Sequence, residues 1–166
     1  MIHPNTDNAL EERLHLYQDH LEEGAWYSAA VALAEIFHAS AKLPAGQRAA
    51  WRSRVNGELT EQLLQEVRKG QEESIQRIRR ILSVGSEWTG EEVLLLMQMR
   101  INVKLLSDFI GQGIDVEALV HLDDIDEHLS TLAKSKHHAE HFRWALQRIN
   151  NNTPYDVESV WLSLIT

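Results

Sequence analysis

Residues 91–110 read EEVLLLMQMRINVKLLSDFI, and the apolar members of this stretch (Val93 to Met97, Met99, Ile101, Val103, Leu105, Leu106, Phe109 and Ile110) fall on nearly every side of an α-helix. A helix that is hydrophobic all round has no face to give to water and is wrapped by its neighbours. The stretch does not suit a membrane span, because Gln98, Arg100, Asn102, Lys104 and Asp108 interrupt it with groups that hydrocarbon does not tolerate. It predicts instead the core of a bundle around which amphipathic helices pack. No segment alternates with period two, so no sheet is expected. The fold class read from the chain is all-α, a single domain over residues 1–166 built from six to eight helices around this buried one.

On the N-terminal side, Thr89 with Glu92 three residues later forms a capping box that opens the central helix, and Gly85 marks a loop before it. Pro44 suits the first turn of a helix in which Trp51, Val55, Leu59, Leu63 and Val67 recur at intervals of four; Gly57 interrupts that helix without ending it. Gly70 then separates it from a shorter segment with Ile75, Ile78, Ile81 and Leu82 inward and Arg77, Arg79 and Arg80 largely outward. Nearer the start, Leu10, Leu14, Tyr17 and Leu21 share one stripe of a first helix that Gly24 stops. An alanine-rich second helix over residues 25–42 folds back on it as an antiparallel partner.

On the C-terminal side, Gly111 and Gly113 end the central helix. A short helix over 115–122 and a long one over 123–149 follow, closed by Asn150, Asn151, Asn152, Thr153 and Pro154. From Asp156, Val157, Val160, Trp161 and Leu164 describe a short amphipathic helix, too short to stand alone and therefore docked. Gly24, Ala25 and Trp26, followed by Ala29, Leu33 and Ile36, resemble the turn and second helix of a tetratricopeptide repeat. The pattern does not return at Glu58, Leu59 and Thr60, 34 residues on, so the resemblance implies one helical hairpin and carries no peptide-binding activity with it.

There is no cysteine among the 166 residues, which excludes disulfides, thiolate metal sites and cysteine nucleophiles. The polar opening MIHPNTDNALEERL has no basic cluster or apolar run of a leader peptide, and the expectation is a cytoplasmic protein. Net charge is −9, a poor balance for neutralising phosphates. That charge is segregated: residues 1–41 carry seven acidic and one basic side chain, 42–80 five and nine, 81–133 ten and two, and 134–166 three and four. Oppositely charged helices lying side by side explain the alternation; an oriented field that selects a charged partner is the functional counterpart.

Five of the nine histidines lie between His121 and His141. On a continuous helix over 121–149, at about 100° per residue, they do not converge: His128 falls beside the apolar face with Asp124 one turn away, and His137 and His141 fall on the back. His137 and His141 have the spacing of two metal ligands on one helix, but two ligands make no zinc centre, and neither a metal nor another cofactor is expected. The same back face gathers Ser130, Lys134, His137, His141, Trp144 and Arg148. A tryptophan on a polar face is either covered by another helix or anchors a partner, and Lys134 and Arg148 around it favour an acidic one. A second surface is basic, led by Arg48 and Arg52 and continued by Arg54, Arg68, Lys69, Arg77, Arg79 and Arg80, with interleaved glutamates and no exposed aromatic ladder for stacking on bases.

Glu58 with Glu61, and Asp123 or Asp124 with Asp126 and Glu127, resemble the two acidic halves by which all-helical nucleoside triphosphate pyrophosphohydrolases hold magnesium. The resemblance implies phosphohydrolase activity, but the halves stand more than sixty residues apart, wider than that family's usual gap. The reading favoured by the residues is a non-catalytic binding or regulatory protein of the adaptor, inhibitor or immunity type. Its partner is another protein, with a second copy of the chain as one candidate. Magnesium-dependent hydrolysis and a nucleic-acid role for Arg48 to Arg80 are the alternatives.

Overall fold

The computed structural model describes residues 6–83, 88–111 and 122–165. The protein is all-α, with eight α-helices and no strand among the described residues. They are α1 (Thr6–Glu22), α2 (Trp26–Ala39), which runs into a 3-10 turn over Ser40–Lys42, α3 (Ala45–Gly57), α4 (Glu61–Ser83), α5 (Gly90–Ile110), α6 (Leu122–Lys134), α7 (Ala139–Asn150) and α8 (Val157–Ile165). The expectations for Gly85, Gly113, His121 and a helix over 115–122 lie outside the described residues. No helix among the described residues is long and apolar enough to cross a membrane.

The chain divides into two compact units, one of residues up to Gly70 with the segment from Leu105, the other of Gln71–Lys104 with the C-terminal helices, so α4 and α5 each contribute to both. In the first unit Gly24, at φ +74°, turns the chain between α1 and α2. Arg13 and Glu35 stand equidistant from that turn and approach to 3.6 Å, the register of an antiparallel hairpin. Small side chains let α2 bury almost its whole circumference, from Ala29 and Ala30 through Leu33, Ile36 and Phe37. The last turns of α5 complete this core, with Phe109 against Phe37 at 5.1 Å between ring centroids.

The roles expected of two glycines are exchanged. The helix beginning after Pro44 ends at Gly57, and a new one starts at Glu61. Thr60 caps it, its Oγ1 accepting the Leu63 N–H at 3.1 Å. Gly70, expected as a separator, lies inside α4, where a Cβ would collide with Cδ2 of Tyr27. The glycine there serves close packing of Tyr27 on the helix backbone.

In the second unit α5 is buried along several sides through Val93, Leu96, Met97, Ile101 and Val103, while Leu95 is 36% exposed. The expected capping box opens it: Glu92 N–H donates to Thr89 Oγ1 at 3.2 Å, and Thr89 N–H donates to Glu92 Oε1 at 3.4 Å. Arg100, buried on α5, forks onto both oxygens of Asp126 on α6, with Nη2 to Oδ2 at 2.8 Å. The short α8 docks as expected, against α6 and α7. Asp156 caps it, and Trp161 meets Phe142 at 5.5 Å.

Candidate protein-binding face

The helix expected over 123–149 is two helices, with a turn at Ser135–His138 between α6 and α7. In that turn the Ser135 carbonyl accepts both His138 N–H, at 3.1 Å, and Ala139 N–H, at 2.9 Å. The apolar residues explain the break. Ile125 and Leu129 are buried on α6, and Phe142, Ala145 and Ile149 on α7. On one straight helix Phe142 would lie roughly 220° round from Leu129, at about 100° per residue, so a continuous rod could not bury both.

This break rearranges the histidines. His138 is buried, its ring 5.7 Å from that of Trp88, 4.8 Å from His137 and 6.3 Å from His141. Its Nδ1 lies 3.4 Å from Ser135 Oγ, while its Nε2 and the indole N–H of Trp88 are buried without a hydrogen-bond partner. His128, expected beside the apolar face, is exposed: the buried stripe of α6 centres on Ile125 and Leu129, which leaves His128 on its flank.

Of the residues grouped by the helical wheel, His141, Trp144 and Arg148 do form one stripe, along α7. The Arg148 guanidinium lies 5.2 Å from the centre of the Trp144 ring. Trp144 and His141 both lie against Gly90 at the start of α5: a Cβ on that glycine would stand 3.4 Å from the indole and 3.3 Å from His141 Nδ1. Both answers to the tryptophan question therefore hold in part, since the ring rests on α5 and is still 39% exposed. Lys134 ends α6 and His137 sits in the turn, both exposed, and Arg143 adds a further exposed cation on α7. Glu140 is the one acidic side chain between Lys134 and Arg148.

Beside this stripe, Leu82, Trp88, Glu127, His128, Thr131 and Leu132 line a cleft of about 420 Å³. Sequence reasoning missed Trp88 and His138, because Ser135–His138 contains neither glycine nor proline to announce a turn. The phase shift between Leu129 and Phe142 was the available signal.

Several of the other candidate residues are engaged within the protein. Arg52 lies over the Phe37 ring at 4.5 Å and is half-buried, as is Arg48. Arg54 stacks on Trp51 at 4.3 Å and pairs with Glu11 at 2.8 Å, which holds the Glu11 carboxyl below its ordinary range. Along α4, Glu72 and Glu73 follow Arg68 and Lys69 by one turn and divide them from Arg79 and Arg80 on the same faces. Among the acidic groups, Asp126 is held by Arg100 and Glu58 accepts the Tyr17 hydroxyl at 3.0 Å. Among the described residues no three histidine, aspartate or glutamate side chains converge on a metal-sized space. Comparison of the chain with protein-family models, with curated proteins and with solved structures finds no match in any of the three.

Proposed function

We propose that this is a non-catalytic protein-binding protein of the adaptor or inhibitor kind, which engages an acidic surface of its partner through the exposed stripe of α7. One observation carries the reading: Trp144 is 39% exposed, with Arg148 over its ring, in a segment whose exposed cations outnumber its acids. Tryptophan and arginine dominate binding hot spots, because a rigid ring brings a large contact area and the guanidinium a forked charge. His141 lies against the same glycine as the ring, and Lys134 is exposed at the end of α6. In a chain of net charge −9 such a local reversal orients an approaching partner as well as attracting it. Arg48 and Arg52 are left out of this surface: both lie on α3, and Arg52 packs on the Phe37 ring.

Cross-linked affinity capture from the native cell tests the proposal when run in parallel with Trp144→Ala, Arg148→Glu and Arg52→Glu. The expected result is one acidic partner that is lost with the first two variants, retained with the third, and weakened by added salt. Capture unchanged by Trp144→Ala and Arg148→Glu overturns it.

A further inference from the structure

The charge of α7 calls for an acidic surface opposite Trp144, and the same unit of the protein carries one. In the second unit the cleft and the exposed Trp144 stand at the two ends of one strip, joined beneath the surface by the buried Trp88 and His138. Leu82, Trp88 and Leu132 wall the cleft; Trp88 stands beside His138; two residues on, Gly90 touches His141 and Trp144. The two ends of this strip differ in sign. At the cleft, Glu127 is part of the wall; at the tryptophan, Arg148 lies over the ring. One end offers an apolar opening, the other a protruding indole.

A strip that is acidic and hollow at one end, basic and protruding at the other, is self-complementary about a two-fold axis through its middle. That is the requirement of an isologous interface, in which residue i of one copy meets residue j of the second while j meets i. We infer that the partner of the Trp144 face is a second copy of this chain: each Trp144 seats between Leu82, Trp88 and Leu132 of the other copy, and Arg148 faces Glu127 across each end. The identification rests on the protein-binding reading of α7 and narrows it.

Three features favour this occupant. The cleft volume of about 420 Å³ lies within the roughly 300–1,000 Å³ of sites that enclose a compact organic group, ample for one indole. The acidic and basic ends lie on one unit, so a two-fold pair brings both complementary contacts together and forms each twice. The net charge of −9 on each copy opposes association at long range, but at physiological salt it is screened beyond about 8 Å, whereas paired charges at the contact are screened far less.

Sedimentation equilibrium of the full chain from micromolar to near-millimolar concentration, at physiological salt, reads the association. The expected result is a reversible dimer whose dissociation constant rises roughly a thousandfold in Trp144→Ala, since two tryptophan hot spots are lost at once. The decisive arm uses charge reversal. Arg148→Glu and Glu127→Arg should each be monomeric alone, since like charges then meet twice. An equimolar mixture of the two variants should recover a dimer, because every contact again joins opposite charges.

A chain that stays monomeric throughout, or a mixture that fails to recover, overturns the inference. A parallel titration of the native chain with an amphipathic peptide of glutamate, leucine and alanine, followed by tryptophan fluorescence, separates it from the broader reading. Binding of the peptide that is lost in Trp144→Ala, by a chain that does not self-associate, leaves the acidic-partner reading standing and removes only the second copy. No binding in either experiment removes both.

Discussion

Gly57 and Gly70 both lie in helices, and a methyl group has opposite consequences at the two. Gly57 closes α3 in open space, with no neighbouring atom within 4 Å of where a methyl group would stand, so Gly57→Ala should be neutral or stabilise by up to about 1 kcal/mol through helix propensity. Gly70→Ala gains the same propensity, but its methyl would collide with the Tyr27 ring close to the base of that side chain, where no small rotation gives room. Overpacking costs of about 1–3 kcal/mol outweigh the gain, and a net loss of roughly 1–2 kcal/mol is expected in urea denaturation. Glu35 supplies a pH dependence. Burial, only partly offset by Arg13, pushes its carboxyl from 4.5 up to about 7. The folded state therefore holds a proton that the unfolded state has released. The stability this group contributes is full below about pH 4.5 and is lost as pH rises through 7, by an amount on the order of 3 kcal/mol. Glu35→Gln should gain on the native chain steadily across that interval, and a difference independent of pH would contradict the assignment. Neither effect could be read from the sequence: Gly70 resembles a separator until Tyr27 is seen against it, and Glu35 is one acid among the seven of residues 1–41 until α1 covers it.

At the scale of elements, the central helix was legible because its apolar residues leave few sides for water, and its capping box because Thr89 and Glu92 announce themselves by spacing. Its tie to α6 was not. Arg100 read as a polar interruption of an apolar run, yet it is buried and forks onto Asp126. Asp126→Ala would leave that guanidinium without its partner in a buried position, a loss of about 3 kcal/mol, at the lower end for buried pairs because Asp126 keeps some exposure. Adding Arg100→Met should recover much of the deficit, since no charge then remains to be solvated; a double variant no better than Asp126→Ala alone would show that the pair acts otherwise. The break between α6 and α7 was missed for a related reason. Ile125, Leu132, Ala139 and Leu146 recur at every seventh residue, the pattern of one rod, while the buried Leu129 and Phe142 lie out of phase with each other.

For the whole molecule, the hydropathy pattern gave the fold class and composition the sign of the net charge; the wheel already grouped His141, Trp144 and Arg148, and the structure adds that they share the short helix α7 and that the indole is partly covered. The division into two units was not legible, because it falls inside α4 and α5 rather than in any linker. One consequence is measurable. A fragment ending at Gly70 retains Phe37 but lacks Phe109, whose ring stands 5.1 Å from it, and lacks Leu105 and Leu106, both fully buried. It should show helical far-ultraviolet dichroism with weak near-ultraviolet signal and no sharp thermal transition, the marks of an unfixed interior. A sharp melt of that fragment would mean that the α5 segment is dispensable. The same discontinuity bears on how the chain is made. Between the emergence of residue 70 and that of residue 110 from the ribosome, roughly 2–8 s elapse at about 5–20 residues per second. Throughout that interval an alanine-lined hairpin lacks its last apolar cover, and its interior can settle only once the α5 segment arrives.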